Sequence, residues 1–112
     1  NKNRSILKTA VDFIDSHYME EDMSLNKAAN AANVSANHFS ALFSQNMGQT
    51  FIEYLTNLRM NKAKEYLRCT SMRSSEIAGE IGYKDAHYFS YLFKKTQGMT
   101  PSDYRKARED KA

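Results

Sequence analysis

The chain has 112 residues, 41% of them apolar, which suits one domain or two small subdomains sharing a core. No run approaches the roughly 18 apolar residues of a membrane helix. No charged-then-apolar leader opens the chain, and a single cysteine, Cys69, excludes an internal disulfide and a cysteine-based zinc framework and fits a reducing cytoplasm. The net charge of +3 permits an anionic partner without requiring one, and a first residue other than Met suits a processed chain or a fragment.

Glycine and proline are scarce and no strand-like alternation is sustained, so the helical period that runs throughout predicts an all-α fold. A first helix is expected from about Ser5 to Met19, with Ile6, Ala10, Phe13, Ile14 and His17 on one face. Ser24 caps a short second helix carrying Leu25, Ala28, Ala29 and Ala32, and Asn33-Val34 makes a tight turn. Ser35 caps the third, with Phe39, Leu42 and Phe43 inward and Gly48 at its end. Thr50 and Glu53 form a capping box that opens a long fourth helix to about Arg68. Its Phe51, Leu55, Leu58, Met60, Ala63 and Leu67 give an apolar surface broad enough to serve both halves of the molecule. Cys69, just beyond, is expected to pack and not to react. Ser74 caps the fifth helix with Ile77, Ala78 and Ile81 inward, and Gly82-Tyr83 turns the chain. Asp85 caps the sixth, with Phe89, Leu92 and Phe93 inward and Gly98 at its end. Thr100-Pro101 starts the seventh, where a missing N–H is harmless, Tyr104 faces the core, and the charged tail from Lys106 is expected to fray.

Two stretches repeat. Phe39, Leu42, Phe43, Gly48, Thr50 and Tyr54 recur 50 residues later as Phe89, Leu92, Phe93, Gly98, Thr100 and Tyr104. Before the turn the offset is 49, pairing Ala29, Ala32, Asn33 and Val34 with Ala78, Ile81, Gly82 and Tyr83. The second copy therefore has one extra residue in its turn. Asn33 and Gly82 are the residue types that best tolerate positive φ. Short helix, tight turn, longer helix is the helix-turn-helix pattern, whose second helix can enter a DNA major groove. The same spacing also suits a helical hairpin with no nucleic-acid role.

Further residues narrow the choice. Ile77-Ala78-x-x-Ile81-Gly82-Tyr83-x-Asp85-x-x-Tyr88-Phe89-Ser90-x-x-Phe93-Lys94-Lys95, followed by Gly98-x-Thr100-Pro101-x-x-Tyr104-Arg105, resembles the signature of the AraC/XylS family of bacterial transcription regulators. The segment Tyr54-Leu55-x-x-x-Arg59-Met60-x-x-Ala63-x-x-Tyr66-Leu67 is similar as well, and the likeness covers about residues 5 to 106. It implies seven helices in two helix-turn-helix subdomains, residues 5–48 and 74–106, joined by a central helix over 50–68. It also implies a cytoplasmic regulator of promoter DNA, more often an activator than a repressor, that inserts the third and sixth helices into successive major grooves. A sensor or receiver domain elsewhere in the full protein, and contact with RNA polymerase, belong to the same expectation. The Tyr-Phe-Ser and Arg-Met wording resembles the branch fused to phosphorelay receivers.

With the phenylalanines inward, the outward stripe of the third helix is Asn37, Ser40, Ala41 and Ser44, beside Ala36. In the sixth it is His87, Ser90, Tyr91 and Lys94, beside Ala86. These positions match the family's base-facing ones, and the bland alternative is a solvated helix face. Asn37 can pair with adenine, His87 and Tyr91 can bond base edges or phosphates, and Ala41 can touch a thymine methyl. Ser44, Lys84, Lys94 and Lys95 are candidate phosphate contacts, which give affinity without sequence choice. The arginine matching Arg59 acts in the family more as a tie between helices than as a base reader. The chain departs from the family in having no charged residue from Ser35 to Met47.

Two other functions make demands of their own on the sequence. An enzyme would need a placed nucleophile, a phosphate loop or a metal motif, whereas His17, His38 and His87 lie on three different helices in no paired motif. No catalytic residue, metal or cofactor is expected. A helical protein-interaction module would show a contiguous apolar patch, and the stripes are mostly polar.

Overall fold

The computed structural model describes residues 1–110. Among the described residues there are seven helices and no strand: α1 (Lys2–His17), α2 (Leu25–Ala31), α3 (Ala36–Met47), α4 (Phe51–Cys69), α5 (Ser74–Glu80), α6 (Ala86–Gln97) and α7 (Pro101–Asp110). Local hydrogen bonds explain most of these boundaries. Ser24 accepts from the Lys27 N–H and Ser35 from the His38 N–H, each at 3.1 Å. The Thr50 hydroxyl accepts from the Glu53 N–H at 3.1 Å while the Glu53 carboxylate accepts from the Thr50 N–H at 2.8 Å, completing the capping box. Thr100 caps α7 by accepting from the Asp103 N–H at 3.0 Å.

Several boundaries differ from expectation. α1 begins at Lys2, because the Asn1 side chain accepts from the N–H groups of Asn3 and Arg4 and starts the helix early. It ends at His17, whose ring lies 4.4 Å from Phe13 and whose Nδ1 meets a Glu20 carboxylate oxygen at 2.5 Å. Ser74 is the first residue of α5 and not its cap. Arg73 takes that place and donates its N–H to Glu76 at 2.9 Å, three residues on, so a carboxylate does the capping. Cys69 does not pack: it is exposed. It lies two residues beyond buried Leu67, about 200° round the helix, and so faces the opposite way. α7 continues through Lys106 to Asp110, and the last part of the tail expected to fray lies outside the described residues.

The chain divides into two compact units inside α4, one of Asn1–Leu58 and one from Arg59 onward. In the first, Ala10 and Ile14 of α1, Ala28 and Ala29 of α2, Phe39 and Phe43 of α3, and Phe51 and Leu55 of α4 make one apolar core, joined by Met23. Phe51 meets the rings of Phe39 and Phe43 edge-on at 6.3 and 6.5 Å, and Tyr54 meets Phe43 at 5.5 Å. The Tyr54 hydroxyl then donates to the Asp15 carboxylate at 2.7 Å. Burial, reinforced by that bond, pushes the Tyr54 phenol up to about 12.

In the second unit Met60, Ala63 and Leu67 of α4, Ile77 and Ala78 of α5, Ile81, and Phe89 and Phe93 of α6 are buried. α4 thus supplies core residues to each unit, as its broad apolar surface suggests. Phe93 packs edge-on to Tyr104 at 5.9 Å, whose hydroxyl accepts from Arg68 at 3.1 Å. Arg105 reaches the end of α4, donating from Nε to the Leu67 carbonyl at 3.1 Å and from a terminal nitrogen to the Thr70 carbonyl at 3.0 Å. Carbonyls that a helix end leaves without partners are satisfied this way. Arg59 is only 6% exposed, and its guanidinium lies 4.9 Å from the centre of the Tyr83 ring. It ties α4 to the turn between α5 and α6, which agrees with the structural role expected of it.

Candidate nucleic-acid interface

Both turns that precede the longer helices close with the same pair of hydrogen bonds. In the first unit Val34 donates to the Ala29 carbonyl at 3.1 Å and Asn33 to that of Asn30 at 3.0 Å. In the second unit Tyr83 donates to Ala78 at 2.8 Å and Gly82 to Gly79 at 3.4 Å. This is the Schellman closure, and it needs a left-handed residue at the turn. Asn33 has φ 59° and Gly82 φ 108°, and Asn33 is the one non-glycine residue of positive φ among those described. The closures match at an offset of 49 and the caps Ser35 and Asp85 at 50. The inserted residue is therefore Lys84, exposed between the turn and the cap.

Within the first unit, α3 buries Phe39, Leu42 and Phe43 and ends at Gly48. Its opposite face shows Asn37 and Ala41 exposed, with Ala36, Ser40 and Ser44 half-buried. Within the second unit, Asp85 accepts from the N–H groups of His87 at 2.8 Å and Tyr88 at 3.4 Å and so begins α6. Phe89 and Phe93 turn inward, with Leu92 half-buried. His87, Tyr91, Lys94 and Lys95 are exposed, and Ala86 and Ser90 half-buried. Positions 87, 90, 91 and 94 share one face by helical spacing, as do 37, 40, 41 and 44. The expected stripes are thus on the surface of each unit, each backed by phenylalanines that hold its helix in place.

Charge and aromatic character separate the two faces. Tyr91 is 60% exposed, and the Lys95 ammonium lies 5.8 Å from its ring centre. A cation over an exposed ring is a weak attraction, enough to bias the lysine toward the stripe. Tyr88, outside both expected stripes, is 51% exposed and meets Tyr83 edge-on at 5.9 Å. By helical spacing it lies beside Tyr91 and Lys95 on α6, and a count of positions 88, 91 and 95 finds it. At the equivalent places α3 carries His38, Ala41 and Gln45. Among the described residues no three His, Cys, Asp or Glu side chains are grouped to hold a metal, and no helix is long and apolar enough to cross a membrane.

The profile of a family described as a helix-turn-helix domain matches residues 28–107. The lactose operon transcription activator of Staphylococcus xylosus is 36% identical over 99 residues, covering 88% of this chain and 35% of the activator. The C-terminal domain of AraT, a response regulator from Geobacillus stearothermophilus, superposes with a TM-score of 0.89 at 40% identity, covering 92% of this chain and 85% of that domain. The C-terminal domain of the two-component response regulator yesN from Fusobacterium nucleatum gives 0.86 at 32% identity, covering 88% and 96%. The chain spans well under half the length of the curated relatives it matches. With two helix-turn-helix units of one design and these relatives, the chain belongs to the helix-turn-helix family of AraC-type transcription regulators.

Proposed function

We propose that this chain binds double-stranded promoter DNA sequence-specifically, as the DNA-binding part of a longer cytoplasmic regulator, most often an activator. In this reading α3 and α6 each enter a major groove. Ala36, Asn37, Ser40 and Ala41 face bases from α3, and Ala86, His87, Ser90 and Tyr91 from α6. Ser44, Lys84, Lys94 and Lys95 approach phosphates. The observation that carries it is the exposed stripe at matching positions of two helices, each following the same Schellman-closed turn and each held from behind by a pair of buried phenylalanines. A rigid, surface-exposed second helix after such a turn is what groove reading requires.

Likeness to the C-terminal domains of two response regulators supports a phosphorelay receiver as the domain that governs this one. RNA polymerase is the further partner of an activator. Selection from a random duplex pool tests the reading: a bipartite motif should be enriched. A pool that emerges random would reject sequence-specific binding.

A further inference from the structure

The two units carry opposite charge. Residues 1–58 contain 4 Lys and Arg against 6 Asp and Glu, a net of −2. Residues 59–112 contain 12 against 7, a net of +5. Of the four cations in the first unit, Lys8 is paired with Asp12 at 2.9 Å and Lys27 with Asp22. The interface helices repeat the contrast: α3 has no charged residue, while α6 ends in exposed Lys94 and Lys95. These lysines stand in the last turn, where the helix dipole favours cations, and Lys95 is drawn over Tyr91 on the stripe itself.

Resting on the DNA-binding reading above, we propose that the second unit is the electrostatic anchor of this domain on DNA, and that the first unit reads sequence without adding to salt-dependent affinity. Neutralising phosphates releases condensed counterions, so only a unit that presents net positive charge at its interface gains from low salt. A net negative unit is repelled at long range and gains only from short contacts made once the other unit has landed. Capture therefore starts at α6, and α3 contributes through the hydrogen bonds and methyl contacts that Asn37, Ser40 and Ala41 can make.

The test is the salt dependence of duplex binding, measured on the full chain by fluorescence anisotropy. Lys94→Ala/Lys95→Ala should shallow the slope of log K against log salt by about 1.8, at about 0.9 per phosphate contact. A fourfold rise in salt would then cost the variant about twelvefold less affinity than wild type. Lys2→Ala/Arg4→Ala, which removes the first unit's two other cations, should leave the slope as it was. An unchanged slope in the α6 variant, or an equal loss in the α1 variant, overturns the division of roles while leaving DNA binding intact. Failure of the wild-type chain to bind any duplex overturns the functional reading itself. Circular dichroism of both variants separates lost contacts from lost folding.

Discussion

Single residues set the local geometry here, and Asn33 shows it most directly. It holds a left-handed conformation that costs an ordinary side chain about 1–2 kcal/mol. Asn33→Ala should lower unfolding stability by roughly that amount, while Asn33→Gly should change it by only a few tenths of a kcal/mol. Urea unfolding of both variants checks the pair, and equal losses would remove the left-handed turn as the cause. Tyr54 makes a pH prediction. Its phenol is held at about 12 in the folded state against an ordinary value near 10, so folding favours the protonated form. The contribution is complete below pH about 10 and fades as pH rises toward 12. The stability difference between wild type and Tyr54→Phe should therefore shrink over that window in a series of denaturant melts. Arg59 is a third case. Its planar guanidinium lies over the Tyr83 ring in a buried position, and lysine cannot reproduce that shape. Arg59→Lys should cost about 1–2 kcal/mol, seen as a lower melting temperature without change in helix content.

At the scale of the helix, the outcome depends on which face a position occupies. α3 and α6 share their inward phenylalanines and their turns but not their outward residues. Changing the outward ones should alter recognition and spare the fold. Asn37→Ala, His87→Ala and Tyr91→Ala should each relax preference at one or two base pairs, by about 1–3 kcal/mol for a good contact. The motifs selected by wild type and by each variant make the comparison. Identical motifs from all four proteins would assign these side chains to solvent. Asn37 and the α6 pair should moreover affect different parts of the motif, since they lie on different helices.

For the whole molecule the consequence is asymmetry. Two helix-turn-helix units of one design present unlike surfaces: Asn37, Ser40 and Ala41 in one, His87, Ser90 and Tyr91 in the other. One chain should read two different boxes and not a palindrome. Duplexes in which either box is replaced by a copy of the other should compete more weakly than the selected site, by about 1–3 kcal/mol for each base pair that becomes mismatched. Equal competition by a doubled box would mean that the two units read alike.

Sequence alone dictates most of the local structure, because helix starts, stops and inward faces are fixed by neighbours a few residues apart. Ser24, Ser35, Thr50 and Asp85 cap where their hydroxyls and carboxylates predict. Asn33 and Gly82 turn where positive φ is needed, and the phenylalanine spacing of the repeat puts both stripes outward. It failed where two local partners competed or where only surroundings decide. Arg73 takes the cap position of α5 in place of Ser74, since the Glu76 carboxylate three residues on accepts from the Arg73 N–H. The apolar context of Cys69 points to packing, yet the turn of α4 that buries Leu67 sends it to solvent. Only the tertiary structure placed Arg59 over Tyr83, Tyr54 against Asp15 and Arg105 on the last carbonyls of α4. Those partners are 24 to 39 residues apart in the chain, and no local pattern records which side chains a packed core will bring together.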